Sequence, residues 1–116
     1  MKKKINKNIL INYNEKISDA IYKIDKNGLR TLIVLKKKKV IGVITQGDII
    51  RIFLKGISLT NSIEEIIQHN FKYLYEDDLN KASKIIKKEL LLLLPVVNRT
   101  MKLISVITIK DIFFHE

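Results

Sequence analysis

Two threonine–aspartate pairs are the residues of this chain whose types and spacing could do chemistry. Thr45 is followed three positions later by Asp48 in GVITQGD, and Thr108 is followed in the same way by Asp111 in SVITIKD. A hydroxyl beside the free N–H groups at the start of a helix can bind a phosphate. The same spacing is also a capping box, in which each side chain accepts a hydrogen bond from the other residue's backbone N–H. The two interpretations are compatible, and the sequence leaves both open.

The two pairs belong to an internal repeat. A shift of 62 positions places Ala20 on Ala82, and beyond the lysine-rich turn at 36–39 a shift of 63 places Thr45 on Thr108. The change of one position falls in a turn, where an insertion is easily tolerated. We therefore predict two copies of one unit of about 50 residues, a length at which neither copy could bury its own core alone.

Each copy predicts the order β-α-β-β-α. The first helix of each copy has apolar residues at helical spacing, and the strands are near-continuous runs of Val, Ile and Leu. A capping box at Ser62 and Glu65 opens a short linker helix over 63–68. The first helix begins at Ile17 and stops at Asn27-Gly28 in the first copy; in the second copy its apolar positions run from Leu79 to Ile86, with Asp77 and Asp78 as the two candidate N-caps. The remaining predicted segments are 9–11 and 71–75 (entering strands), 30–35, 40–45, 92–97 and 103–108 (strands), and 48–55 and 111–114 (second helices).

The predicted fold class is α/β, with two pseudo-twofold related repeats packed sheet to sheet. We assign 8–56 to the first repeat, 57–70 to the linker and 71–116 to the second repeat. Such a joint leaves two equivalent clefts between the halves, which is a common place for a ligand.

Composition excludes several other classes of protein. The chain is 47% hydrophobic and 29% charged, which is a globular balance, and it has no cysteine for a disulfide or a thiolate metal site. Its longest apolar run, Leu90–Val97, is too short to span a bilayer. No apolar core of signal-peptide length follows the basic start MKKKINKN. We expect a cytoplasmic protein without a membrane partner.

The net charge of +10 could indicate nucleic acid, a membrane surface or an anionic small molecule. The chain is rich in Ile, Lys and Asn and poor in Ala and Arg, as an AT-rich genome would give. The lysines occupy a tail (Lys2–Lys4), a turn (Lys36–Lys39) and helix faces, and they are not interleaved with aromatic residues in the sequence. We interpret most of them as solvated, and nucleic acid is a disfavoured partner.

Other polar residues lack the neighbours that chemistry requires. His69 and His115 have no partner at metal-ligand spacing. Tyr13, Tyr73 and Tyr75 are interpreted as packing residues rather than base-stacking ones. No nucleophile, base and metal come together, so the sequence predicts no enzyme.

The doubled pattern resembles a tandem pair of CBS (cystathionine-β-synthase) domains. The resemblance rests on LRTLIVL…VIGVITQGD and LLLLPVVNRTMKLISVITIKD and covers residues 8–114. The segment from Asp48 to Ile67 resembles the linker of CBS pairs that precede sugar-nucleotide nucleotidylyltransferase domains. The chain ends where such a domain would begin, so we expect either an excised regulatory half or a stand-alone pair.

The resemblance implies a regulatory module that binds AMP, ADP, ATP or S-adenosylmethionine between its repeats and controls an enzyme. In the family the threonine faces phosphate and the aspartate accepts hydrogen bonds from ribose hydroxyls. Two strand segments flank the base, and a small residue on the first helix leaves space for it. Carried over, these implied ligand-binding residues are Thr45 and Asp48, Thr108, Lys110 and Asp111, Thr31, Leu32 and Ile33, Leu93, Leu94 and Pro95, and Ala20 and Ala82.

The two predicted clefts differ in sequence. The first repeat has Gly47 where the second has Lys110, and the second has Ser105 where the first has Gly42. Glu15 and Asp77 would each oppose a phosphate. We therefore favour the cleft with Thr108, Lys110 and Asp111 as the stronger phosphate site.

Two alternatives stay open beside nucleotide sensing: a structural dimerisation module with empty clefts, and nucleic-acid binding through the basic surface. CBS pairs commonly associate in pairs, so we expect a homodimer. Candidate dimer contacts on the second helices are Ile52, Phe53, Phe113 and Phe114.

Overall fold

A computed structural model describes residues 4–114, so the assignments made above for Lys2, Lys3 and His115 lie outside the described residues. The regular elements are β1 (Leu10–Asn12), α1 (Ile17–Asn27), β2 (Thr31–Lys36), β3 (Lys39–Thr45), α2 (Gln46–Leu54), α3 (Leu79–Glu89), β4 (Leu93–Val97), β5 (Leu103–Thr108) and α4 (Ile109–Phe113), with short 3-10 helices at Lys7–Ile9 and Ile63–Ile66.

Local residues define where helix α1 ends and where helix α3 begins. Helix α1 stops at Gly28, whose φ of 69° is a left-handed conformation that glycine adopts at little cost. Asp78 caps α3 by accepting from the backbone N–H groups of Asn80 (2.9 Å) and Lys81 (3.1 Å). One of the two candidate caps, Asp77 or Asp78, is thus identified.

The strands form two small sheets. In the first, β1 lies parallel to β2 and β2 antiparallel to β3, and in the second β4 lies antiparallel to β5. The segment predicted as the entering strand of the second repeat forms a single parallel bridge, from Leu74 to Val96. Its aromatic residues instead pack on one another, with the rings of Phe71 and Tyr73 5.3 Å apart.

Among the described residues, three buried clusters of apolar side chains hold the chain together. One lies inside each repeat, between its strands and helices, and the third lies between the two sheets. The predicted α/β architecture of two repeats packed sheet to sheet is confirmed. The residues joining the sheets are Ile33 and Val40 from the first, and Leu93, Val97 and Val106 from the second.

The proposed dimer contact at Ile52 was wrong. Ile52 is only 6% exposed because it lies three positions after Ile49, and that face of α2 packs into the core of the first repeat. Phe53, Phe113 and Phe114 are exposed to 43%, 70% and 84%.

The linker packs tightly on the first repeat. Its helix is a 3-10 turn that ends at Ile66, and Ser62 accepts from Glu64 N (3.1 Å) instead of forming the predicted box with Glu65. Further on, Gln68 bridges to Val43 through two backbone hydrogen bonds of 3.1 and 2.8 Å. Gly42 permits this close approach, since a Cβ there would lie 2.5 Å from the Gln68 carbonyl oxygen.

Replacing Gly42 with alanine is expected to destabilise the fold by about 1–3 kcal/mol, because the added methyl would displace the linker backbone. Urea unfolding followed by circular dichroism measures the change. Ser105→Ala, at the equivalent position of the second repeat, is the matched control and should change the free energy of unfolding by less than about 0.5 kcal/mol. Equal stability of the two variants would contradict the expectation.

Candidate functional site

Two cavities open at the joint between the repeats, and the repeat shift relates one to the other. The first cleft has a volume of about 350 Å³, and its walls include Thr31, Thr45, Gln68, Phe71, Leu91 and Pro95. The second cleft has a volume of about 240 Å³, and its walls include Asn6, Leu29, Val106, Thr108, Lys110 and Asp111.

Each cleft combines one strand–helix junction with the turn after the first helix of the other repeat. Thr45 ends β3 and directly precedes α2, opposite Leu91, which follows α3. Thr108 ends β5 and directly precedes α4, opposite Leu29, which follows α1. A molecule in either cleft would therefore touch both repeats.

In the first repeat the Thr-x-x-Asp pair is a reciprocal cap. Asp48 Oδ2 accepts from the Thr45 backbone N–H (2.8 Å) and hydroxyl (2.9 Å), and Thr45 Oγ1 accepts from Asp48 N (3.2 Å). The cap fixes the direction in which the chain leaves β3. The capping interpretation of the sequence is confirmed here.

The Asp48 carboxylate also receives donors from outside the cap. Gln68 Nε2 donates to Oδ1 (2.9 Å) and Oδ2 (2.8 Å), and Arg51 forms a 2.6 Å ion pair with Oδ1. Asp48 is only 9% exposed. These donors offset the cost of burying the charge.

In the second repeat Asp111 Oδ2 accepts from the Thr108 backbone N–H (2.7 Å) and hydroxyl (3.2 Å). The positions equivalent to Gln68 and Arg51 are Asn6 and Phe114. Asn6 Oδ1 accepts from Asn8 N (2.9 Å) and so caps the first 3-10 helix. The residues at these two positions therefore differ in kind between the repeats.

The structure brings only some of the implied ligand residues to the cavities. Thr31, Thr45, Leu93 and Pro95 line the first cleft, and Thr108, Lys110 and Asp111 line the second. Asp48 lines a separate groove with Arg51 and Gln68. The other implied residues are buried in the cores or between the sheets: Ala20, Leu32, Ala82, Leu94 and Ile33.

The two acidic residues expected to oppose a phosphate occupy different surroundings. Glu15 Oε2 accepts from Asn12 N (2.9 Å) and does not line the first cleft. Asp77 shares a groove with Lys110 and Asp111, beside the second cleft.

Sequence reasoning missed several wall residues. Gln68 and Asn6 are equivalent under the repeat shift, as are Leu91 and Leu29, and each pair lines the two clefts at matching places. The shift could have identified them once Thr45 and Thr108 were taken as cleft residues.

The tyrosines pack against protein groups. Lys36 lies 4.7 Å above the Tyr13 ring and Arg99 lies 4.0 Å above the Tyr75 ring, so these cations are close to aromatic residues in space although not in sequence. A hydrogen bond with Tyr75 raises the pKa of the Tyr73 phenol above its ordinary value. These contacts agree with the packing role predicted for the tyrosines from the sequence.

The remaining polar clusters were considered as metal sites and the helices as membrane spans. Among residues 4–114, no cluster of three or more acidic or histidine side chains could hold a metal ion. His69 Nδ1 lies 3.1 Å from the Ile41 carbonyl oxygen. None of the helices in that range is both long and apolar enough to cross a bilayer.

The family model described as "CBS domain" matches the chain twice, over residues 3–55 and 62–115. Together the two matches cover nearly the whole chain, and each includes one of the Thr-x-x-Asp pairs.

Known proteins resemble the chain in sequence and in fold. A protein of Methanosarcina acetivorans named homoserine O-acetyltransferase is 31% identical over 81 residues, which are 69% of this chain but only 14% of that protein. A Methanocaldococcus jannaschii structure described as a candidate archaeal homolog of g-AMPK has a TM-score of 0.81 at 24% identity, covering 92% of this chain and 43% of that one. A CBS domain protein of Pyrobaculum aerophilum complexed with AMP has a TM-score of 0.75 at 19% identity, covering 91% and 83%. These two structural likenesses show the fold.

Asp48→Ala is expected to lower the free energy of unfolding by about 2–4 kcal/mol, because it removes the cap and leaves the Gln68 amide without its acceptor. Asp25→Ala, an exposed change in α1 that alters the net charge equally, should cost less than about 0.5 kcal/mol. Thermal and urea unfolding measure both variants. If Asp48→Ala lowers the free energy of unfolding no more than Asp25→Ala does, the hydrogen bonds and ion pair of Asp48 do not stabilise the fold.

Proposed function

The chain belongs to the CBS domain family, and from that premise we propose that it is a regulatory module. It binds an adenosine nucleotide, AMP, ADP or ATP, in a cleft between its repeats and controls an enzyme that carries it or associates with it. It performs no reaction of its own and acts in the cytoplasm. S-adenosylmethionine is a further candidate ligand, since it shares the adenosine group.

The observation that carries this proposal is the composition of the second cleft. Leu29 and Val106 offer an apolar wall for a base, while Thr108 and Lys110 offer a hydroxyl and a cation for phosphate. Asp111, on the same wall, is the carboxylate for the ribose hydroxyls. The AMP complex of the Pyrobaculum aerophilum protein supports an adenosine nucleotide as the ligand class.

Regulation would follow from the position of the cleft. Because Leu29 belongs to one repeat and Thr108 to the other, a bound nucleotide stabilises one arrangement of the two halves. An enzyme that interacts differently with the two arrangements is then biased by the ligand. The effect is limited to the difference in ligand affinity between the arrangements.

The regulated enzyme is proposed to be a sugar-phosphate nucleotidylyltransferase, because residues 48–67 resemble the linker of such enzymes' CBS pairs. The coding sequence downstream of Glu116 tests this directly. A different catalytic domain encoded there would contradict the assignment to a nucleotidylyltransferase.

A structural role in dimerisation is the second candidate, and exposed aromatic residues favour it. Phe53 lies on α2, Phe113 on α4 and Phe114 immediately after it, and all three rings are exposed in the single chain. A homodimer would bury them. Sensing and dimerisation are compatible functions.

Isothermal titration of the chain with AMP, ADP, ATP and S-adenosylmethionine should give heat with at least one of them, and that ligand should raise the melting temperature. Lys110→Ala should weaken its binding by about tenfold, as expected for one lost charge-assisted contact to phosphate. Absence of both heat and melting shift for all four ligands would overturn nucleotide sensing.

Lys84→Ala is the matched control, because it removes the same charge from an exposed position of α3. It should leave the affinity unchanged. If both lysine variants weaken binding equally, the effect comes from net charge and not from a contact in the second cleft.

Replacing Phe113 with glutamate should shift the chain from dimer to monomer in light scattering, because a charge cannot be buried in an apolar interface at low cost. Tyr22→Glu, at an exposed position of α1, is the control and should leave the mass unchanged. A wild-type chain that is monomeric at high micromolar concentration would exclude the dimer.

A further inference from the structure

We propose that the two hairpin turns together form a basic surface that binds the phosphates of a single-stranded nucleic acid. This turn surface is separate from both clefts, and its function does not depend on nucleotide sensing. It consists of six exposed cationic side chains, four at the turn between β2 and β3 and two at the turn between β4 and β5: Lys36, Lys37, Lys38, Lys39, Arg99 and Lys102.

The fold brings the two turns together although they belong to different repeats. Lys39 forms an antiparallel bridge with Lys102, and the Val40 N–H donates to the Met101 carbonyl oxygen (2.8 Å). Lys39 is also the cross-strand partner of Lys36 within its own hairpin. Like charges directly opposite each other on neighbouring strands are destabilising. An anion bound between the turns would remove this repulsion.

The first turn has a backbone conformation that lysine does not favour. Lys37 and Lys38 are the two central residues of the hairpin loop, and their φ angles are 51° and 68°. A two-residue loop with positive φ at both positions favours Asn-Gly, and asparagine is frequent in this chain. Lysines at this turn therefore lower local stability, and such conflicts with local preference are expected at functional sites.

The cations of the turn surface have no carboxylate partner among residues 4–114. The ion pairs in that range involve Arg51, Lys72 and Lys81 instead. Glu76, which pairs with Lys81 at 3.4 Å, and Glu15, which accepts from the Asn12 N–H, are engaged elsewhere. The charge of the turn surface is thus available to an external anion.

Aromatic rings beside the cations favour a single strand as that anion. Lys36 lies above the Tyr13 ring and Arg99 above the Tyr75 ring, and the two tyrosines are equivalent under the repeat shift. Arg99 is exposed, so a nucleobase can stack on the outer side of its guanidinium. Cations and aromatic rings together are typical of surfaces that bind single strands. Residues 36–39 and 98–102 have no exposed apolar side chain to enter a bilayer.

The turn surface lies at the opposite end of the strands from the clefts. Strand β3 runs from Lys39 to Thr45, and seven residues of strand span roughly 20 Å. An oligonucleotide on the turns therefore leaves both clefts open.

Fluorescence anisotropy with a labelled oligothymidylate of about 12 nucleotides tests the proposal on the full chain. The wild type should bind it, and the slope of log K against log[salt] should be about −4, as six phosphate contacts to a single strand give. Lys37→Asn combined with Lys38→Gly should weaken binding by about tenfold and change the slope to about −3, because two contacts are lost.

Lys84→Gln combined with Lys88→Gln is the matched control, because it removes the same two charges from exposed positions of α3. It should leave the affinity for the oligonucleotide within about twofold of the wild type. An equal loss in the two double variants would overturn the proposal, since net charge alone would then explain binding.

Two further ligands decide the class of partner. Tighter binding of a duplex of the same length, or binding of anionic phospholipid vesicles without binding of the oligonucleotide, would overturn the assignment to a single strand. A chain that binds none of the three has no polyanion site at the turns. The AMP titration is a separate measurement, so its failure would leave this proposal intact.

The Asn-Gly variant should melt no lower than the wild type, because it suits the turn. If it does not fold, Lys37→Gln combined with Lys38→Gln takes its place and keeps the length of both side chains closer to that of lysine. A loss of about tenfold in that variant supports the proposal, and an unchanged affinity overturns it.

Discussion

The apolar joint between the two sheets is the constraint on which the rest of this structure depends. Within residues 4–114 the first repeat has three strands and the second has two, and the helices of each repeat cover one face of its sheet. The other face would be exposed to water without the other repeat; its residues are Ile33, Val40, Leu93, Val97 and Val106. Burying them stabilises the pair by roughly 1.5–3 kcal/mol per large side chain. Because the joint is pseudo-twofold, a cavity at one edge has an equivalent at the other edge, and one interface therefore forms two clefts.

The symmetry is broken by the linker. Residues 57–70 cross the first repeat, where Gly42 lets the backbone come within hydrogen-bonding distance of β3 and Gln68 reaches Asp48. A linker that only connected the halves could follow many paths. This one contributes Ile63 and Ile66 to the core of the first repeat, so its path and the position of the Gln68 amide are fixed by the same packing.

The repeat explains how much of the fold the sequence could predict. Two copies of one pattern support each other, so the helices at Ile17 and Leu79 and the four long strands are close to where periodicity placed them. Features that depend on contacts distant in sequence were missed or wrong. Ile52 is an exception, because its spacing of three positions from Ile49 is local and already places both residues on one face of α2. The Asp48–Gln68 pair spans 20 positions and depends on the path of the linker. No local pattern records such a pair.

The question of whether Thr-x-x-Asp serves a helix or a ligand is a question about acceptor positions on one carboxylate. In both repeats the cap occupies Oδ2. A cap and a ribose can share a carboxylate, because two donors leave room for two more. In the first repeat Gln68 and Arg51 also donate to the Asp48 carboxylate, so its remaining acceptor positions are already occupied. The motif alone therefore does not determine which acceptor positions of the aspartate are occupied, and in the first repeat the residue that the linker brings to Asp48 occupies further ones.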